Sequence, residues 1–291
     1  MIESIHHLLQ IAEKPTRNII GLMSGTSLDG LDVAHVAITG HGQESTIKLL
    51  HFETISYTQD FKKNIGEIFS KPQIETIKLC QMHAEIATVH GNMILQLMEK
   101  WNLSASDIDL IASHGQTIFH APAHLQQNPS AINSTLQIGD GDHIARITGI
   151  ITISDFRQKH VAAGGEGAPL AAYGDFILYG NQQNPTVLLN IGGISNLSFI
   201  PSDGHFENVA CTDIGPGNKL MDIWMAHHFP GQHYDTDANI ARNGDIHPAL
   251  LSQLKSDNFF RLPFPKTTGP ELFNLDYILK AIAESETEGI S

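Results

Sequence analysis

Cysteine is nearly absent: Cys80 and Cys211 are the only two, far apart in the chain. That excludes a disulfide scaffold as the organising device and makes a reducing compartment the expectation. Basic residues are scarce as well, with 17 Lys and Arg against 31 Asp and Glu and a formal net charge of −14. Such a chain repels phosphate backbones and offers no basic stripe, so no nucleic-acid partner is expected. Any phosphate it binds must be held locally, by backbone N–H groups or a metal ion. Long apolar runs are missing, which argues against a membrane span. The opening segment "MIESIHHLLQIAEKPTRN" carries an acid at Glu3 and no long apolar core, so it does not read as a signal peptide, and a cytoplasmic location is expected.

Histidine is the exception to this sparseness, with 17 residues. There is no His-Glu-x-x-His and no Cys/His pair at zinc spacing, and the adjacent pairs His6-His7 and His227-His228 point in different directions. Scattered core and surface histidine accounts for them better than a metal centre.

The chain has 291 residues, 41% of them hydrophobic, enough for two domains with real cores. Ile19, Ile20, Leu22 and Met23 read as a strand, Leu31 to Ile38 as a returning strand, and Ser45 to Tyr57 as a third. The period then changes: Ile86, Val89, Met93, Leu97 and Trp101 mark a long amphipathic helix ending near Asn102. A short strand at Ile108 to Ala112, a strand in "TLQIGDG", a helix at Asp142 to Thr148 and a strand "GIITISDF" follow. This order predicts a mixed sheet with helical cover. A glycine-dense loop, Val161 to Asp175, resets the pattern, after which strands at Thr186 to Asn190, Asn196 to Ile200 and Glu207 to Cys211 and a helix at Lys219 to His228 repeat the opening design. Each half thus has a hairpin with a glycine-rich turn, "SGTSLDG" in the first and Gly192-Gly193 in the second, placed to face a nucleotide.

"SGTSLDG", Ser24 to Gly30, is neither a P-loop nor a dinucleotide fingerprint, since no lysine follows it and the glycine spacing is wrong. Its chemistry still suits a phosphate: Gly25 and Gly30 let N–H groups converge, Thr26 and Ser27 add hydroxyls, and Asp29 and Asp32 are candidate Mg²⁺ ligands through water. An ordinary turn formed by Asp29-Gly30 is the plain alternative. In "CTDIGPGN", Asp213 sits at a strand end, Gly215 and Gly217 make the turn, and Asn218 opens a helix whose N-terminus suits a phosphate. Asp213 fits a general base, or a helix-capping carboxylate. Arg157 offers a planar fork for a carboxylate or phosphate beside the loop of Gly164, Gly165 and Gly167, unless it pairs with Asp155. His114 and Gln116 cluster in "SHGQT" at a strand end, where open sheets hold small polar ligands or where a loop is anchored.

Taken together, "GLMSGTSLDGLDVA", "SHGQTIFHAP", "LQIGDG", "DFRQKHVAAGGEGAPL", "VLLNIGGISNLS", "DIGPGN" and "PKTTGPELFNL" resemble the anhydro-N-acetylmuramic acid kinases, a bacterial family of the sugar kinase, Hsp70 and actin superfamily. The resemblance spans Ile19 to Leu275. It implies an α/β fold of two RNase H-like lobes in actin-like architecture, 1–157 and 158–291, with ATP in an interlobe cleft. It also implies the reaction, in which 1,6-anhydro-N-acetylmuramic acid, ATP and water give N-acetylmuramic acid 6-phosphate and ADP during peptidoglycan recycling. By the same resemblance Gly25, Thr26, Ser27, Leu28, Asp29, Gly30, Leu31 and Asp32 form the phosphate-contacting turn, with Gly192, Gly193, Gly215, Gly217 and Asn218 on the nucleotide side. Asp213 is then the catalytic base, His114, Gln116, Arg157 and Gly165 contact the sugar, and the enzyme acts as a homodimer with ATP and Mg²⁺. The chain departs from the family pattern at His160, Glu166 and Asp175. Family members run on past the position of Ser291 into an adenosine-binding turn, so the second lobe is expected to be incomplete. Two rival readings follow: a non-catalytic sugar- or nucleotide-binding fragment of this fold, and a kinase for another amino sugar.

Overall fold

The structure is a computed structural model. It describes residues 2–285 except 26, 27, 124, 125, 127, 129, 181, 233, 270 and 271. Two compact units emerge, Met1–Leu170 and Ala171–Ser291.

The first unit begins with α1 (Ile2–Glu13), which buries Ile11. A meander of β1 (Thr16–Ser24), β2 (Gly30–Thr39) and β3 (Thr46–Ser56) follows, as the alternation predicts. The β1–β2 register sets Ile20 opposite His35 and Leu22 opposite Val33. Ile20, Leu22, Leu31 and Val33 therefore share one face, and all are buried in the main core. After α2 (Gln59–Gly66), the long helix α3 (Thr76–Lys100) covers that face with Met82, Ile86, Ala87, Ile94, Leu97 and Met98, a stripe at helical spacing. The chain then returns in β4 (Leu110–Ala121), parallel to β1 with Ile111 beside Ile20.

From there β5 (Ser134–Ile138) pairs antiparallel with the second half of β4, and α4 (Gly141–Thr148) leads to β6 (Thr152–Ser154), which pairs parallel with the first half. The sheet order is β3-β2-β1-β4-β5, with β6 also on β4. Gly91 lets α4 approach α3, for a Cβ there would lie 3.0 Å from the Ile147 side chain. The short helix α5 (Phe156–Ala162) and the residues up to 170 stay with this unit, where Gln158 Nε2 donates to Thr135 O over 2.8 Å.

The second unit comprises α6 (Ala171–Tyr179), the antiparallel sheet β7 (Thr186–Ile191), β8 (Ile194–Ile200) and β9 (Ala210–Pro216) in that order, then α7 (Asn218–His228), α8 (Pro248–Leu254) and α9 (Leu275–Glu284). Its core is aromatic: Phe259 and Phe273 are buried with ring centres 5.5 Å apart, and Tyr277 stands edge-on to Phe273 at 5.0 Å.

Three expectations are corrected. The segment "SHGQTIFHA" is strand, because β4 continues past Ala112 with β1 still paired on one edge as far as Gln116, while on the other edge β6 gives way to β5 around Gly115, whose φ of +70° and close approach to Ile138 O admit no side chain. The third strand of the second unit starts at Ala210 and runs through "DIGP", because Phe206–Asn208 form a 3-10 turn and Ile194 pairs with Pro216. The glycine-dense stretch from Val161 to Asp175 is flanked and partly occupied by helix, since α5 reaches Ala162 and α6 starts at Ala171.

Candidate functional site

In the first unit the β1–β2 hairpin carries its acidic tip on a tightly constrained backbone. A Cβ at Gly30 would fall 2.3 Å from Ile55 O, so the backbone of β3 dictates glycine there. Leu28 adopts φ +60°, its N–H reaching Gly25 O at 3.4 Å, and the Asp29 carbonyl accepts from Tyr57 N at 3.1 Å. Leu31 faces the core and is fully buried, so at the tip it contributes backbone only. The Asp32 carboxylate accepts from Thr54 Oγ1 at 2.5 Å. Thr26 and Ser27 lie outside the described residues.

Behind the tip lies a run of buried polar side chains. Gln116, expected to contact the sugar, is fully buried: its Nε2 donates to Gly25 O at 3.2 Å and Thr117 O at 3.1 Å, and its Oε1 is bonded to Ser24 Oγ. Ser24 Oγ lies 2.7 Å from the Tyr57 hydroxyl, which lies 2.7 Å from His90 Nε2. Burial pushes the Tyr57 hydroxyl up to about 12 and His90 down to about 3, so both are neutral near pH 7. Sequence periodicity had signalled α3 as core but not the polar residue on its buried face. Only a histidine amid Ile86, Ala87 and Ile94 could have flagged it.

Two residues before Gln116 on β4, His114 meets Arg157 of α5. Arg157 Nε donates to His114 Nε2 at 2.9 Å, which leaves the imidazole proton on Nδ1, donated to Gly115 O at 2.9 Å. Burial, then the Arg157 charge, holds His114 below its ordinary value and keeps it neutral. Arg157 Nη1 also donates to Gly167 O at 2.6 Å. Gly165 is packed on the His160 ring, where a Cβ would lie 2.1 Å from Nε2, and His160 Nδ1 accepts from Gly167 N at 3.1 Å. One departure from the family pattern thus shapes the loop beside Arg157.

A cavity of about 200 Å³ opens here at the C-terminal end of β6, lined by His83, His114, Gln137, Asp140, Ser154 and Asp155 among others. This is where parallel strands present ligands. His83, Gln137, Asp140 and Ser154 were missed on sequence because they come from three separate segments. His83 Nδ1 accepts from Gly139 N at 3.0 Å, tying α3 to the glycine turn after β5.

In the second unit Asp213 lies on β9 opposite Asn196. Its Oδ2 accepts from Thr268 N at 2.9 Å, and its own N–H donates to Lys266 O at 2.9 Å, so the "PKTT" segment clamps the residue from both ends. Lys266 is fixed in turn: Nζ donates to Phe259 O at 2.8 Å and sits 4.4 Å from the Phe259 ring centre. The two glycine turns interlock. Gly217 N donates to Gly193 O at 3.0 Å, Asn218 N to Gly192 O at 2.7 Å and Lys219 N to Gly193 O at 3.3 Å. The first N–H groups of α7, expected to face a phosphate, are thus directed at Gly192 and Gly193 carbonyls. A Cβ at Gly217 would fall 2.0 Å from Gly192 O, while Gly215 has φ +145°. Asp175, another departure from the family pattern, accepts from Ser198 Oγ at 2.6 Å.

The family model described as anhydro-N-acetylmuramic acid kinase matches residues 17–291. The chain belongs to the anhydro-N-acetylmuramic acid kinase family. A relative of that name from Pseudoalteromonas atlantica is 50% identical over 291 residues, covering 100% of this chain and 73% of the relative. Another from Pseudoalteromonas translucida is 48% identical over 287 residues, 99% of this chain and 72% of the relative. A third, from Caldanaerobacter subterraneus subsp. tengcongensis, is 41% identical over 273 residues, 93% of this chain and 69% of the relative. The matched span of this kinase family member takes in the hairpin tip, the cavity beside His114, and both Arg157 and Asp213. Among the described residues no helix is long and apolar enough to cross a membrane, and no group of three or more His, Cys, Asp or Glu side chains could hold a metal unaided.

Proposed function

We propose that the chain is an ATP-dependent kinase that opens 1,6-anhydro-N-acetylmuramic acid with water and phosphorylates its O6, giving N-acetylmuramic acid 6-phosphate and ADP for reuse of cell-wall sugar. The observation that carries this reading is the family match over residues 17–291, which includes Asp213 clamped by the backbone of Lys266 and Thr268.

Asp213 takes a proton from water as the water oxygen bonds to the anomeric carbon. The bond from that carbon to the bridging O6 breaks, and O6 attacks the γ-phosphorus as ADP departs. The proton held by Asp213 then returns to solvent. A carboxylate in this role contributes about 10²- to 10⁴-fold to rate. The remainder comes from positioning and charge stabilisation, which dominate phosphoryl transfer. Gly25 to Gly30 hold the phosphates, and Arg157 and His114 hold the sugar, with the lactyl carboxylate the natural partner of the guanidinium.

Mg²⁺ is held elsewhere by one or two carboxylates plus phosphate oxygens and water rather than by a full protein cage. Asp29 and Asp32, two carboxylates at one turn with no third acid or histidine completing a site among the described residues, fit that donor set. The ion neutralises phosphate charge when bound. The strand order β3-β2-β1-β4-β6, with β2 alone antiparallel, supports an RNase H-like first lobe in an actin-like two-lobed enzyme. A homodimer in the cytoplasm, with lobes near 1–157 and 158–291, completes the reading.

The test measures ADP release with and without the anhydro sugar for the chain and for Asp213→Asn. The expected result is sugar-dependent release, reduced about 10³-fold in the variant with unchanged thermal stability. Sugar-independent release, or full activity in Asp213→Asn, overturns it.

A further inference from the structure

The buried polar side chains behind the hairpin tip have only one self-consistent set of proton positions. Gln116 Nε2 faces two carbonyls, Gly25 O at 3.2 Å and Thr117 O at 3.1 Å, which only accept. That orients the amide and leaves Oε1, an acceptor, toward Ser24, so the Ser24 hydroxyl donates to Gln116. With its proton committed, Ser24 Oγ accepts from Tyr57, and the Tyr57 oxygen accepts in turn from His90 Nε2–H. The chain therefore runs one way, from His90 on α3 through Tyr57 and Ser24 to Gln116, and from there to the carbonyl of Gly25.

Every member is buried: His90 and Gln116 are 0% exposed, Ser24 1% and Tyr57 4%. Water cannot replace a missing link, so loss of one donor propagates to the next acceptor. Tyr57 also supplies its backbone N–H to Asp29 O. It is thus joined to both sides of the tip, by hydroxyl through Ser24 and Gln116 to Gly25 and by backbone to Asp29. His90 Nδ1 is the chain's open end, buried with no hydrogen-bond partner.

We propose that Tyr57 is a positioning residue for nucleotide binding, fixing Gly25 through this directed chain and Asp29 through its backbone N–H. The inference rests on the proposed nucleotide role of the turn. It assigns Gln116 to holding the tip, and it separates ATP recognition from sugar recognition, which lies with His114, earlier on β4, and Arg157 of α5.

The experiment uses the full chain with Tyr57→Phe, Ser24→Ala and the double variant, each checked by thermal denaturation. MgATP affinity is measured by titration calorimetry, and KM for ATP and for the anhydro sugar by ADP release. Breaking one link is expected to weaken MgATP binding and raise its KM about 10- to 100-fold, the effect of about 1 to 3 kcal/mol. The sugar KM should stay within about twofold of the parent, a split that general loss of structure does not produce. The double variant should be no worse than the weaker single variant, because both cut the same chain. Unchanged MgATP affinity in folded single variants, equal rises in both KM values, or additive losses in the double variant overturn the proposal. A parent chain that binds MgATP without turnover defeats the kinase reading alone, and the calorimetric comparison still decides the role of Tyr57. A parent that binds no MgATP overturns both.

Discussion

Replacing His90 by Gln tests whether a neutral imidazole is built into the core of the first unit. Gln keeps a donor for the Tyr57 oxygen and carries no titratable group. His90 is fully buried, and burial alone depresses it from 6.5 to about 3. Its folded-state value lies below its unfolded value, so the unfolded chain binds the extra proton between those two limits. Stability is therefore complete above pH 6.5 and is lost progressively as pH falls toward 3. The full span corresponds to about 4 to 5 kcal/mol at 1.36 kcal/mol per unit, and the part lost between pH 7.5 and 4.5 is about 3 kcal/mol. His35 and His114 are also held low by burial, but they are present in parent and variant alike and cancel in the difference. Urea unfolding at several pH values provides the measurement. The chain has two tryptophans, so a Trp224→Phe background leaves Trp101 as the reporter, at the C-terminal end of α3. The parent should lose about 3 kcal/mol more than His90→Gln over that interval. Parallel pH profiles would refute the claim that His90 is folded in its neutral form.

Arg157→Lys should raise the sugar KM about tenfold and leave the ATP KM unchanged, since one ammonium cannot serve both His114 Nε2 and Gly167 O. Gly217→Ala should destabilise the second unit by at least about 1 to 3 kcal/mol, because the new Cβ meets the Gly192 carbonyl at 2.0 Å and neither backbone is free to yield. Its Trp224 transition should shift while the Trp101 transition holds, and kcat should fall. Removal of Mg²⁺ with EDTA should abolish turnover and return it on re-addition, with no change in melting temperature of the sugar-free chain.

The hairpin β1–β2 and the long α3 were legible because each buries one face and so shows a clean period, as in Ile20, Leu22, Leu31 and Val33, whereas β7 was legible only as an apolar run, and its Val187, Leu189 and Ile191 are exposed. The acidic turn and Asp213 stand out in the sequence as candidates because glycine, hydroxyl and carboxylate at a strand end have few structural uses together. Sequence left Gln116 open between a sugar contact and a loop anchor, because local patterns cannot supply its partners: Ser24 and Gly25 are about ninety positions away, and its burial depends on β1 lying beside β4. The same holds for the cavity, whose His83, Gln137 and Ser154 come from α3, β5 and β6. Helix α2 had a signal that went unread, Thr58 followed by Asp60 and Phe61, whose N–H the Thr58 side chain accepts at 3.3 Å. Helix α6 had none, being apolar nearly all round.

The two units stiffen their glycine turns by different means, and charge explains why stiffness matters. With a net charge of −14 the protein offers a nucleotide no overall attraction, and because charge is screened beyond a Debye length of about 8 Å, only groups local to the site can hold it. No lysine stands in the Ser24 to Gly30 tip to draw a phosphate in. Binding must then come from N–H groups already aimed, since each turn residue left to be ordered on binding subtracts about 1 kcal/mol or more. In the first unit side chains do the aiming, from His90 to Gln116 across a dry core. In the second unit backbone locks the turn, with Gly217, Asn218 and Lys219 donating to Gly192 and Gly193, so those three N–H groups are spent on the lock itself. A backbone lock tolerates no Cβ but many neighbours, whereas a side-chain chain tolerates no change of donor. Single conservative substitutions should therefore injure the first turn at Ser24 or Tyr57, and the second only at its glycines.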